Sequence, residues 1–182
     1  DEDRRARLSD GVAQIMDKVQ SREEFQVRTM VVEGASPVVD DALRVYRERF
    51  QPSARHATPY AMIGVNVVVA DDDAVARRLF TTPQQSFALL HRGQRGLQRP
   101  PIDDIETFWS PAEKQLASRM LAVSAVGSPA TVRATLERLL ERTRADELMV
   151  VCGVYDEAAR QHSLSLLAAI AAEAGWTARV AD

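Results

Sequence analysis

One stretch constrains this chain more than any other: Ile63-Gly64-Val65-Asn66-Val67-Val68-Val69-Ala70, within the apolar segment Tyr60 to Ala70. It is β-branched and nearly continuous rather than alternating. A strand of that kind is buried on both faces, as in a parallel sheet covered by helices. It is too short to cross a membrane, and Asn66 interrupts it. Asp71 to Asp73 follow at once and suit a helix start, where negative charge meets the dipole.

The flanking segments repeat this logic. Leu8, Val12, Ile15 and Val19 lie on one face of a first helix, and Ser21 to Glu24 is a polar break. Phe25 to Val32 reads as a strand, ended by Gly34. Ser36-Pro37 then opens a helix with Val39, Leu43, Tyr46 and Phe50 on one stripe, stopped at Gln51-Pro52-Ser53. After the central strand come a helix with Val75, Ala76 and Leu79, and a second helical stretch from Gln84 to His91. Arg92 to Pro101 holds three arginines, two glycines and two prolines, and reads as a mobile loop. Asp103 to Val123 reads as helix, with Leu116, Met120 and Val123 inward. A short strand, Ser124 to Val126, leads to Gly127-Ser128-Pro129 and a helix carrying Val132, Leu136, Leu139 and Thr143. Asp146-Glu147 precedes the strand Leu148 to Val154, again expected to be buried. The last helix turns Leu166, Leu167, Ile170 and Ala174 inward.

Strands alternating with helices argue for parallel βα units in an α/β fold. The 182 residues suit a single domain, residues 1–182. They fall short of the ~250 residues of a complete (β/α)8 barrel. With 46% hydrophobic and 27% charged residues, the composition is that of a folded domain, not of a disordered chain. A net charge of −3 disfavours nucleic acid as a partner. No apolar segment at the beginning reads as a signal peptide, so the cytoplasm is the default expectation.

Few residues suggest chemistry. His56, His91 and His162 have neither the spacing nor the carboxylates of a metal site, so no metal is expected. Cys152 stands alone, which excludes a disulfide framework, and reads as a small core residue inside its strand. There is no GxSxG, P-loop or GxGxxG. Ser128 either caps its helix or presents free N–H groups to an anion; the cap is preferred, since every helix needs one. Arg92, Arg95 and Arg99 either meet a phosphate or form a solvated loop. Asp156 and Arg160 are spaced for a local ion pair.

The order of several short stretches carries a resemblance. These are Ala42 to Ser53; Pro59-Tyr60 with Gly64 to Ala70; Leu90-His91-Arg92-Gly93 with Pro100-Pro101; Gly127 to Val132; Ala145 to Val150; and Tyr155-Asp156 with Arg160, Ser163, Leu166, Leu167 and Ala168. Over roughly residues 40–170 the chain resembles the luciferase-like, flavin-dependent monooxygenases of bacteria. The resemblance implies the carboxyl-terminal part of a (β/α)8 TIM-type barrel that binds reduced FMN at the carboxyl ends of its strands. It implies an oxidoreductase in which O2 and the flavin oxidise a small organic substrate, a separate flavin reductase supplying the reduced flavin. It also implies that the Arg92 to Pro101 loop matches, by location, the mobile lid after the seventh strand.

Two features of the family have no counterpart here. One is the amino-terminal barrel half with the usual catalytic histidine. The other is a Leu-Gly-Ser-Ser-type phosphate loop, due between Val27 and Asp40. No catalytic or cofactor-binding residue is therefore carried over to any position. The chain is expected to leave the family path between Val32 and Asp40, and to omit residues of the native polypeptide. The alternative reading is a non-catalytic truncated half-barrel serving as a binding or assembly module, and a homo-oligomer is left open.

Overall fold

The computed structural model describes residues 30–32, 36–53, 56–94 and 96–176. The expected helix over Leu8 to Val19, and the strand from Phe25 as far as Thr29, lie outside the described residues; of the stretch between Val32 and Asp40, where a departure from the family path is expected, residues 33–35 lie outside as well. The elements are β1 (Met30–Val32), α1 (Ser36–Arg49), β2 (Ala61–Val69), α2 (Asp73–His91), a 3-10 turn (Ile105–Thr107), α3 (Pro111–Met120), β3 (Ser124–Gly127), α4 (Pro129–Thr143), β4 (Glu147–Val151) and α5 (Glu157–Glu173).

All pairing is parallel and centred on β2. β1 pairs residues 61–63 and β3 pairs residues 66–69, while β4 pairs residues 62–66. β1 and β4 share the first half of β2, so they flank it on opposite edges. Among the described strands β4 has β2 as its one partner.

The two faces of β2 have different covers, which accounts for its unbroken apolar run. Ala61, Ile63, Val65, Val67 and Val69 pack against Val39, Leu43 and Tyr46 of α1, Val132, Leu136 and Leu139 of α4, and Ile170 of α5. These three helices thus lie on one face, as on the outside of a barrel. On the other face Val68 and Ala70 meet Ala76 of α2 and Val154, with Leu79 and Phe80 alongside. Nearer the middle of the strand, Gly64 and Asn66 line a groove instead.

Polar groups tie the layers together. The Tyr46 hydroxyl donates to the Tyr60 carbonyl and accepts from the Tyr60 N–H, both at 3.1 Å. Asp146 accepts from the Ala61 N–H at 2.7 Å, which fixes the start of β2 beside β4. Beyond the end of β4, the Ser163 hydroxyl of α5 accepts the Val69 N–H at 2.8 Å.

Four expectations need correction. The helices on either side of Pro83 are one helix, α2. Thr82 and Gln85 donate to the backbone of Arg99 and Pro100, Thr81 accepts from the Ile102 N–H, and Pro83 abuts Gly153, so tertiary contacts carry the helix through the proline. The helix expected over Asp103 to Val123 is a 3-10 turn followed by the shorter α3, which buries Glu113 and Ala117 and leaves Met120 exposed. Ser110 and Glu113 form a reciprocal capping box that starts α3 at Pro111. The β4 strand is not buried: Met149, Val150 and Val151 are 43%, 36% and 46% exposed. Its second edge has no strand among the described residues, so half its cover is missing. Cys152 consequently lies just past the strand and half-buried, its thiol 3.7 Å from the Ser163 hydroxyl.

Candidate functional site

The carboxyl ends of parallel strands are where α/β folds place their chemistry. Here three helix starts gather near those ends, and each holds a carboxylate of the chain itself. Asp72 caps α2, accepting the Ala74 and Val75 N–H groups at 2.8 Å. Asp156 caps α5, accepting the Ala159 N–H at 2.8 Å; no ion pair with Arg160 forms among the described contacts, contrary to the spacing argument. At α4, Ser128 occupies the N-cap position but makes no side-chain cap bond. Instead the Ser128 N–H donates to Asp73 Oδ1 at 2.6 Å. That backbone bond, with the Thr131 and Ser128 hydroxyls, holds the Asp73 carboxyl below its ordinary pKa. Both readings of Ser128 are thereby corrected. Its side chain is not the cap, and the anion at this helix start is Asp73, 55 residues away.

Of the loop arginines, Arg92 is committed internally, while Arg99 is exposed and lines a hollow with Ser86, Phe87 and Leu97. Arg92 forms a two-pronged pair with Glu113 at 2.7 and 3.0 Å, donates to the Phe108 carbonyl at 2.7 Å, and lies 4.9 Å from the Phe108 ring centroid. The guanidinium, helped by the Ser110 N–H, pulls the Glu113 carboxyl down to about 2. Arg95 lies outside the described residues. The far end of the loop is pinned to α2 through Arg99 and Pro100. Gly93 and Gln94 donate back to the Leu90 and Leu89 carbonyls, and Leu97 is 95% exposed.

His162 pairs with Asp71 at 3.0 Å on the surface, His91 ends α2, and His56 sits in a turn with Ser53. No group of three or more potential metal ligands occurs among the described residues. No described helix is long and apolar enough to cross a membrane.

What the fold does build is a groove of about 280 Å³ on the second face of the sheet. Gly64, Val65 and Asn66 of β2 form its floor, and Val151 and Gly153 one side. Pro83, Ser86 and Phe87 of α2 face them, and Gln98, Met120 and Val123 complete the rim. None of these residues is charged. Asn66, which lines the groove, donates loosely to the Val123 carbonyl at 3.5 Å. Gln98 places its amide beside Gly153. Sequence reasoning passed over these residues as a site. The available signal was one polar residue, Asn66, inside a run otherwise destined for burial.

Comparison with known proteins agrees with this architecture. No family model matches the chain. It is 43% identical over 132 residues to a luciferase-like monooxygenase of Escherichia coli (strain K12), covering 72% of this chain and 39% of the relative. The crystal structure of apo-MsnO8 superposes with a TM-score of 0.64 at 29% identity, over 78% of this chain and 42% of the other. A 44-residue stretch, 24% of the chain, is 54% identical to the cell division protein FtsQ of Paracoccus denitrificans (strain Pd 1222), of which it spans 13%. A parallel sheet with α1, α4 and α5 on its outer face is a partial barrel, matched over 42% of the apo-MsnO8 chain. Over the matched residues the chain belongs to the luciferase-like monooxygenases, and it spans 39% of the length of the curated relative it matches.

Proposed function

We propose that this chain forms one wall of the substrate-binding mouth of an FMN-dependent monooxygenase. The whole enzyme would oxidise a small organic molecule with O2 and reduced FMN, the flavin arriving from a separate reductase. The observation that carries this reading is the groove on the inner face of β2 and β4, in a chain 43% identical to a luciferase-like monooxygenase.

The described residues do not fit the whole of FMN. A flavin phosphate needs free N–H groups and a cation. The starts of α2, α4 and α5 hold Asp72, Asp73 and Asp156, Arg92 is engaged by Glu113, and the groove lining has no charge; Arg99 lines a separate hollow beside Leu90 and Leu97, away from any described helix start. In this reading the chain contributes apolar shielding from Phe87, Met120, Val123 and Val151, and neutral hydrogen-bonding groups from Asn66 and Gln98. Residues beyond those described would supply the phosphate site and the proton-transferring groups.

The test is a titration of FMN against the 182-residue chain, followed by flavin fluorescence. One charge at an exposed helix start is worth ~0.3–1 kcal/mol, whereas micromolar affinity needs about 8 kcal/mol. Saturation is therefore expected only far above micromolar FMN, and sub-micromolar binding would refute this placement of the phosphate site. A second reading, a non-catalytic binding or assembly module, is favoured by the lack of any titratable side chain in the groove. Reductase-coupled substrate oxidation by the chain joined to the remainder of a relative's barrel would decide for the enzyme.

A further inference from the structure

We propose that the hollow beside the carboxyl-terminal half of α2 binds an apolar carboxylate, with Arg99 as the residue that recognises its anionic head. The hollow adjoins the groove, with Ser86 and Phe87 common to both, and the proposal stands apart from the monooxygenase reading. Three observations carry it.

First, buried polar groups hold the backbone at Arg99 in place. Thr82 and Gln85 of α2 are buried, and they donate to the Arg99 and Pro100 carbonyls at 3.0 and 2.9 Å. Thr81, also buried, accepts the Ile102 N–H at 2.9 Å. Buried polar side chains are costly unless bonded, and these find their partners in the loop. A loop end fixed in this way presents its side chain from a constant position, as binding residues on rigid scaffolds do. Second, the guanidinium is unpaired. Arg78 of α2 and Arg92 at its end hold Asp103 and Glu113. The exposed Arg99 side chain has no partner among the described residues, and no described carboxylate lines the hollow. A planar guanidinium takes a carboxylate through two parallel N–H bonds. Third, the lining beside it is apolar and open to water. Phe87, Leu90 and Leu97 line the hollow, Leu90 half-exposed and Leu97 almost fully so. The volume, about 460 Å³, is that of an organic-ligand site. A bare inorganic anion would leave the leucines wet, and a pure hydrocarbon would leave the guanidinium without a partner; a carboxylate on an apolar chain serves both.

Octanoate, 1-octanol and acetate separate the two halves of the site. Each is titrated against the isotope-labelled 182-residue chain, followed by amide and arginine side-chain NMR shifts. Octanoate is expected to move the Leu90 and Leu97 amides and the Arg99 Nε–H together and to saturate at millimolar concentration. It should bind about 5-fold more tightly than 1-octanol, one exposed ion pair's worth. High salt should weaken octanoate relative to 1-octanol. Arg99→Gln is expected to remove the preference for octanoate, and Leu97→Ser to weaken octanoate and 1-octanol alike. Both positions are exposed, so an unchanged Tm is expected for each variant. Binding of 1-octanol or acetate as tight as that of octanoate, an undiminished preference in Arg99→Gln, or shifts that spare Leu97 and Arg99 would each overturn the proposal. So would displacement of octanoate by FMN at equal concentration, which assigns the hollow to the flavin phosphate. Leu97 shifts that follow protein concentration alone would make a second copy of the chain the occupant, and would overturn it too.

Discussion

Ser163→Ala should cost far more than the loss of one exposed hydroxyl. In β2 the N–H groups of Asn66 and Ala70 point toward β3, bonding the Val123 and Gly127 carbonyls. The odd residues point the other way, toward β4, whose pairing ends at Asn66 with Val151. The Val69 N–H thus extends past the last rung on that side, and the Ser163 hydroxyl accepts it at 2.8 Å. Both residues are 1% exposed, so water has no route to replace the bond. An orphaned buried donor costs about 1–3 kcal/mol. For a chain of this size that lowers Tm by roughly 2–12 °C. Ser165→Ala, two residues along α5, removes an exposed hydroxyl bonded within its own helix and should stay within about 0.5 kcal/mol. Thermal unfolding by calorimetry compares the two variants, and amide exchange at Val69 reads the bond itself. Equal Tm shifts for Ser163→Ala and Ser165→Ala, with unchanged Val69 exchange, would refute the reasoning.

Glu113 has its folded pKa lowered to about 2 from an ordinary 4.5, so the stability it adds is present above pH 4.5 and lost as pH falls toward 2; Glu113→Gln should flatten the acid-unfolding profile in that window. Gly127→Ala should destabilise by more than about 2 kcal/mol in urea unfolding, because left-handed strain alone costs ~1–3 kcal/mol. Gly127 has φ +153°, and a Cβ there would lie 2.7 Å from both Asp73 Oδ1 and Thr131 Cγ2. Val150→Lys, on the uncovered strand β4, should change stability by less than about 0.5 kcal/mol and suppress self-association measured by light scattering; a large loss of stability would show that β4 has a cover.

Periodicity alone foretold the helices that pack on β2. Val39, Leu43 and Tyr46, and Val132, Leu136, Leu139 and Thr143, are buried as their spacing implied, because a helical face is a local property of 3.6-residue geometry. The β2 run was legible for the same reason, since seven of its nine residues are buried. The α3 start had a local signal too, the capping box of Ser110 and Glu113, but the sequence reading began that helix at Asp103. The family, too, could be read from short stretches in the right order, because residues that shape strand ends and helix starts leave a pattern along the chain.

Other features had no local signal. Leu148 to Val151 look like β2 in composition, yet β4 stands uncovered, because burial depends on what lies alongside a strand and not on its own residues. Ser128 carried the ordinary mark of a cap, and only the fold brings Asp73 to its N–H from 55 residues away. The groove is drawn from β2, α2, the loop at Gln98, the end of α3 and the end of β4, so its neutrality existed nowhere in the linear order. Sequence by itself determined that β2 is a strand and which faces α1 and α4 bury, since those follow from backbone period and side-chain size. Tertiary structure decided which charges are already spent on partners and which polar groups remain open, because electrostatic pairing acts through distance in space.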